Sequence, residues 1–222
     1  MLKGAIFDLD GLLVDTESLQ WQGWGEVLKP FGISLSKEDY LKYAGKAGKI
    51  IEAELIKDYN LNIKKSSLLK EKEDLLLKWL RAKPLKAFSF AKEAIKFFKK
   101  FKIKVAVVSG GPRNEVEFKL KKIKLYHLID VIISGSDVKK GKPNPDIYLL
   151  GVEKLNLKPK DCISFEDTEY GVKSAKSAGL ICVAIPNEFS KKQNFSKANA
   201  KFNNLREAID WVKKIIVGKN KF

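Results

Sequence analysis

The sequence predicts an α/β protein: an open, Rossmann-like parallel sheet with helices on both faces, interrupted after its first strand by an all-helical insertion. Three observations carry this. Short β-branched runs alternate with amphipathic helical patterns from Phe88 to the C-terminus. Strands such as Val105 to Val108 are apolar throughout, as strands buried on both faces are. Residues 16–85 carry helical periodicity and no convincing strand.

The first element is the run Ala5 to Phe7, a buried strand that ends in two carboxylates, Asp8 and Asp10. Acidic residues are poor strand formers and costly to bury without a partner or a metal. Spacing of two puts both on one side of an extended chain, and Gly11 lets the backbone turn beside them. Helical signals follow. Thr16 is placed to cap a helix over Glu17 to Leu28, with Leu19, Trp24, Val27 and Leu28 as its apolar face. Ser36 to Asp39 resembles a capping box and starts a short helix to about Tyr43. Helices over about Lys46 to Tyr59, with Ile50, Ile51 and Leu55, and over Ser67 to Arg81 complete the insertion.

The alternating region reads as a helix (Ala91 to Phe101), a strand (Val105 to Val108), a helix after Pro112 (Arg113 to Lys122) and a strand (Val131 to Ile133). It continues with a helix (Pro145 to Leu155), a strand (Ile163 to Phe165), a helix (Tyr170 to Ala178) stopped by Gly179, a strand (Ile181 to Ile185) and a last helix (Leu205 to Val217). That makes five main strands. Asn187 to Asn204 is polar and reads as loop, with a short strand near Ala200.

The 222 residues allow one large domain or one domain with an insertion, and 45% hydrophobic residues are enough for a core. No apolar run reaches the roughly 20 residues of a membrane span, and the N-terminus enters the first strand without a signal-peptide pattern. Cys162 and Cys182 lie in apolar runs and read as small buried residues, which fits a reducing cytoplasm. The net charge of +16 raises nucleic acid as a partner. Against it, the basic residues are almost all Lys, scattered over helices, and the arginines are Arg81, Arg113 and Arg206. Base and phosphate recognition favour Arg. The charge fits solvated faces and attraction of an anionic substrate; no nucleic acid and no membrane partner are expected.

In open α/β sheets ligands bind beyond the carboxyl ends of the strands. Those ends carry Asp8 and Asp10, then Ser109 with Gly110, then Glu166 and Asp167; the loop after the third strand carries Lys142. Crowded carboxylates need a cation, and hard oxygen donors beside a phosphate point to Mg²⁺.

This set resembles the haloacid dehalogenase-like hydrolases, within them the group of β-phosphoglucomutase and small sugar-phosphate phosphatases. Phe7-Asp8-Leu9-Asp10-Gly11 through Asp15-Thr16-Glu17 is the most specific match; Val108-Ser109-Gly110, Gly141-Lys142-Pro143 and Phe165-Glu166-Asp167 with Gly171 follow in order. The resemblance implies a core of residues 1–15 and 86–222 and a helical cap of residues 16–85, hinged near Val14 to Thr16 and Pro84 to Ala87. It makes Asp8 the nucleophile that forms an aspartyl-phosphate and Asp10 the general acid and base. Mg²⁺ is expected on Asp8, the main-chain carbonyl of Asp10, Asp167 and Glu166. Ser109 and the Gly110 amide are expected on the phosphoryl oxygens, with Lys142 neutralising charge and Arg113, about one helical turn beyond Ser109, as a second cation. The substrate implied is a small phosphorylated metabolite, in the first instance a sugar phosphate, hydrolysed by a monomer.

Two departures weigh against a mutase, which is the alternative reading. Position 20 is Gln20, where the mutase has a histidine. Gly45-Lys46-Ala47-Gly48 has a glycine where the mutase places an arginine for a second phosphate; Lys46 and Lys49 are the candidates to replace it, without the bidentate fork. A non-enzymatic basic binding protein on the same scaffold is the reading from another class, and the intact carboxylate set argues against it. Trp24 reads as core, and His127 is given no role.

Overall fold

The computed structural model describes residues 2–64, 66–82 and 84–218, the last two of these by backbone alone. Six strands form one sheet: β1 (Gly4–Asp8), β2 (Lys104–Ser109), β3 (Val131–Ser134), β4 (Cys162–Glu166), β5 (Ile181–Ala184) and β6 (Ala200–Lys201). Their order is β3-β2-β1-β4-β5-β6, and every pair is parallel. The chain winds outward on both sides of β1, so the crevice between β1 and β4 is the point where strand order reverses. The short β6 falls where the polar segment hinted at a strand.

Alternation along the strands explains the two layers. Ala5, Phe7, Val105, Val107, Ile163 and Phe165 face one apolar layer, built with α5 (Ala91–Lys100), α6 (Arg113–Lys122) and α9 (Leu205–Gly218). Phe7 stacks on Phe165 at 4.7 Å between ring centres and meets Phe98 edge-on at 5.8 Å. Truncating a buried phenylalanine of this kind costs about 3–5 kcal/mol. Ile6, Ala106, Val108, Cys162 and Cys182 face the opposite layer, covered by α7 (Asp146–Lys154) and α8 (Glu169–Ser177). Both cysteines are buried and free, as their apolar neighbours suggested. Register then sets the site: Asp8 pairs with Val108 and Phe7 with Phe165, so Asp8, Ser109 and Glu166 end at one level.

The insertion comprises α1 (Glu17–Leu28), α2 (Lys37–Tyr40), α3 (Gly48–Asp58) and α4 (Ser67–Ala82). It has its own apolar cluster around Trp24, Leu28, Tyr43, Ile51, Leu55 and Leu68, into which Phe189 reaches from beyond β5. Trp24 is core, as read. Ile50 is not: it is 39% exposed, because Ile51 and Leu55, four apart, define the inward face of α3. Ser36 caps α2, accepting from the Asp39 amide at 3.0 Å. Thr16 does not cap α1; its hydroxyl is used elsewhere. The two crossings between insertion and sheet pair with each other, Val14 opposite Ala87, with the Asp15 amide on the Lys86 carbonyl and the Phe88 amide on the Leu13 carbonyl, both at 3.0 Å. Gln193 donates to the Ala44 carbonyl at 3.0 Å and Lys37 to Glu188 at 2.8 Å, which holds the helices down over the strand tips. Among the described residues, no helix is long and apolar enough to cross a membrane.

Candidate active site

Asp8 shares the face of Ile6, the side covered by α7, and Glu166 shares the face of Ser164 beside it. The loop before α7 brings Lys142 to both: its ammonium bonds Asp8 Oδ1 and Glu166 Oε1, and the Tyr148 hydroxyl donates to the same Glu166 oxygen. Asp167 follows Glu166. Asn187 donates from Nδ2 to Asp167 Oδ2 at 2.8 Å and to the Gly11 carbonyl at 3.0 Å, joining the first strand tip to the fourth. Gly11 has φ +82°, and a Cβ there would overlap the Asp167 carboxylate. A Cβ on Gly171 would run into the Glu166 carboxylate. Both glycines are therefore dictated by how closely backbone and carboxylates approach.

Ser109 ends β2 and donates to Asp10 Oδ2 at 3.0 Å. Asp10 Oδ1 accepts from Thr16 Oγ1 and from Lys119 Nζ, each at 2.6 Å. Lys119 is fully buried and also pairs with Glu115 one turn earlier on α6. Burial alone would raise Asp10; the Lys119 charge and the hydrogen bonds from Lys119, Thr16 and Ser109 outweigh it and hold the carboxyl below its usual range. The opposite happens next door. Burial, with Glu166 and Asp10 adding to it, outweighs Lys142 and pushes Asp8 well up. Burial followed by the charges of Asp8 and Glu166 does the same to Asp167. Lys142 is itself buried, yet Asp8 and Glu166 raise its proton affinity, so it stays an ammonium.

The donor set can be tested against a metal. Asp8, Glu166 and Asp167 each offer a buried carboxylate oxygen, all within 4.8 Å of one another. Three carboxylates against the single ammonium of Lys142 leave a formal deficit of two positive charges. That matches a divalent cation, and all-oxygen donors favour a hard one. The Asp10 carboxylate lies outside this group, on Lys119, so only its main-chain carbonyl remains for the metal role the resemblance assigns it.

The structure thus brings Asp8, Asp10, Ser109, Lys142, Glu166 and Asp167 together, with Gly110 exposed just beyond Ser109. It does not bring Arg113. Its guanidinium turns to the Ile132 carbonyl at 3.0 Å and to the Asp137 carboxylate, which is anchored by Ser134 at the end of β3. The cation from α6 is Lys119 instead, two turns further along. Asn187, Tyr148, Thr16 and Lys119 were not read as site residues. A signal for Lys119 existed: it lies three residues after Val116 and next to Leu120, inside the apolar stripe, with Glu115 four residues before it. Of the two candidates for a second phosphate, Lys46 is held by both oxygens of Glu54, at 2.8 and 2.6 Å. Gln20 accepts from the buried Lys72 at 2.8 Å.

Residues 5–185 match the family model described as haloacid dehalogenase-like hydrolase. The phosphorylated carbohydrates phosphatase of Thermotoga maritima is 34% identical over 184 residues, 81% of this chain and 82% of that protein. The crystal structure of CbbY from Rhodobacter sphaeroides in complex with phosphate superposes with a TM-score of 0.84 at 24% identity, over 93% of this chain and 96% of that one. β-Phosphoglucomutase from Clostridium difficile gives 0.82 at 21% identity over 96% of each chain. The two structures share the fold; the family match and the Thermotoga relative carry more. The chain belongs to the haloacid dehalogenase-like hydrolases.

Proposed function

We propose that the protein is a Mg²⁺-dependent phosphatase that hydrolyses a small phosphorylated metabolite, a sugar phosphate in the first instance, through an aspartyl-phosphate on Asp8. The observation that carries this is the placement of two carboxylates two residues apart: Asp8 lies with Lys142, Glu166 and Asp167, where a metal and a phosphoryl group fit, and Asp10 lies outside that group, held by Lys119, Thr16 and Ser109. The chain is a phosphoric monoester hydrolase, and the name of the Thermotoga relative supports phosphorylated carbohydrates as the substrate class.

Asp8 attacks phosphorus while Asp10 protonates the departing oxygen; Asp10 then takes a proton from the water that attacks the aspartyl-phosphate. Lys119, Thr16 and Ser109 keep Asp10 ionised before substrate arrives, ready for the second half. A phosphate ester that binds as its monoanion brings the proton for the first half: its negative charge raises the proton affinity of Asp10, which takes that proton and passes it to the leaving oxygen. Ser109 and the Gly110 amide bind phosphoryl oxygens, and Lys142 keeps the nucleophile and those oxygens from repelling each other. Asp8, Glu166, Asp167 and the Asp10 carbonyl would hold Mg²⁺, which when bound would supply charge neutralisation for phosphoryl transfer. Residues 16–85 act as a cap domain over a core of residues 1–15 and 86–222 and exclude water from the reaction. The commitment of Lys46 to Glu54 favours hydrolysis over a mutase that must grip a second phosphate.

The test is hydrolysis of p-nitrophenyl phosphate by wild type and Asp8→Asn, with Mg²⁺ and with chelator. Turnover should require the metal and fall at least about 1,000-fold in the variant, the scale of removing a covalent nucleophile. Equal rates for the two proteins would overturn the proposal.

A further inference from the structure

Among the described residues, two buried side-chain polar atoms find no hydrogen-bond partner: Oε2 of Glu17 and Nε1 of Trp24. Trp24 lies inside the apolar cluster of the insertion. Glu17 lies elsewhere. It is the first residue of α1, only 9% exposed. The preceding hydroxyl, Thr16 Oγ1, is fastened to Asp10 at 2.6 Å, which pins this end of α1 beside the strand tips. Asp10 and Asp15 from the segment after β1, Lys119 from α6 and Lys72 from α4 all act on the Glu17 charge, and the Tyr40 hydroxyl of α2 hydrogen-bonds the carboxylate, leaving Oε2 without a partner. An acidic residue in a first turn ordinarily complements the helix dipole at the surface. A buried one with a free oxygen is held there for something else, since an unpaired buried acceptor is destabilising.

We propose that Glu17 accepts a hydrogen bond from a substrate hydroxyl close to the ester oxygen, and so selects polyhydroxylated phosphate monoesters over plain alkyl or aryl esters. This rests on the phosphatase reading, in which the leaving oxygen departs toward Asp10. The carbons bearing that oxygen then lie on the Asp10 side of the site, where Glu17 is. The neighbours decide which donor fits. An ammonium on the substrate would meet Lys72 and Lys119. A second phosphate would meet the carboxylates of Glu17 and Asp10, while the flanking ammoniums are already engaged, Lys119 by Asp10 and Glu115 and Lys72 by Gln20. A neutral hydroxyl meets neither objection. A site built around such a bond rejects the analogue lacking it, because the buried acceptor stays unpaired.

The experiment compares kcat/KM for sorbitol 6-phosphate and n-hexyl phosphate, two six-carbon esters that differ in hydroxyls. Wild type should prefer the first by about 100-fold or more. Glu17→Met, which keeps length and removes the acceptor, should lower that ratio at least about tenfold, chiefly through KM. Glu17→Gln has the same shape and a weaker, neutral acceptor; it should lower the ratio by about threefold or more, and it carries the test if the Met variant does not fold. A ratio unchanged within about twofold in the folded variants overturns the role of Glu17 and leaves the phosphatase reading standing. Failure of wild type to hydrolyse either ester, or p-nitrophenyl phosphate, overturns the phosphatase reading and this inference with it.

Discussion

Replacing Lys119 by Met removes a fully buried ammonium and leaves its two carboxylate partners in place. At the 2.6 Å separation from Asp10, unit charges in an effective dielectric of 20 attract by about 6 kcal/mol. Desolvation of the ammonium offsets part of that attraction in the wild-type protein. The variant, however, strands Asp10 and Glu115 beneath the insertion. Breaking a buried pair by removing one partner costs about 3–5 kcal/mol. For a chain of this length each kcal/mol moves the melting point by about 2–4 °C, so the loss is about 6–20 °C at pH 7. The loss depends on pH in a defined direction. Asp10 is held below its unfolded value of 3.8, so its contribution is complete above that value and fades as pH falls through the lower, folded one. Lys119 is shifted upward, so its contribution is complete below 10.5 and is lost only above that. The gap between wild type and variant should therefore be widest near neutrality and narrow in acid. Thermal and urea unfolding at pH 7 and at about pH 2, well below the unfolded Asp10 value of 3.8, measure it. A loss under about 1 kcal/mol at pH 7, the size of an exposed pair, would refute the buried network.

Three further outcomes follow from the same geometry. Thr16→Val keeps shape and removes the donor to Asp10; it should cost about 1–2 kcal/mol and also lower p-nitrophenyl phosphate turnover, whereas a helix-capping role would leave turnover untouched. Mg²⁺ at 100 times its dissociation constant should stabilise wild type by about 2.7 kcal/mol, a rise of about 5–10 °C, with the rise absent in Asp167→Asn if that carboxylate belongs to the metal group. Burial, assisted by Asp10, raises Glu17 from 4.5 to about 7. Its ionisation therefore destabilises the fold as pH rises from about 4.5 to about 7, by up to about 3 kcal/mol, and Glu17→Gln should gain stability over wild type across that window; parallel stability curves would refute it.

What the sequence made legible and what it did not divide along physical lines. Asp8, Ser109, Glu166 and Asp167 were readable because each follows an apolar strand, and parallel strands of one register must end together. Most helix positions were readable to within a residue or two because their apolar faces repeat, α4 and α5 among them, whereas α2 stops at Tyr40, three residues before the expected end. Arg113 was misplaced because chain distance from Ser109 says nothing about which way a side chain leaves the first turn of a helix. The neighbouring Asp137 carboxylate captured it. Lys119 was passed over as one surface lysine among many, although it occupies a core position of α6. Thr16 matched the capping pattern, but Asp10 competed for its hydroxyl at closer quarters than the helix amides could. Asn187 lay in a stretch legible only as polar loop; its role appears once the fold sets it between Gly11 and Asp167.

The claim on which most depends is that Asp8 carries the phosphoryl group during turnover. Wild type incubated with Mg²⁺ and a ³²P-labelled phosphate monoester, then quenched in acid during steady state, should retain label on the peptide containing Asp8. Hydroxylamine should release that label, and Asp8→Asn should never acquire it. Steady hydrolysis with no label on the protein, or label that persists in Asp8→Asn, would contradict the mechanism.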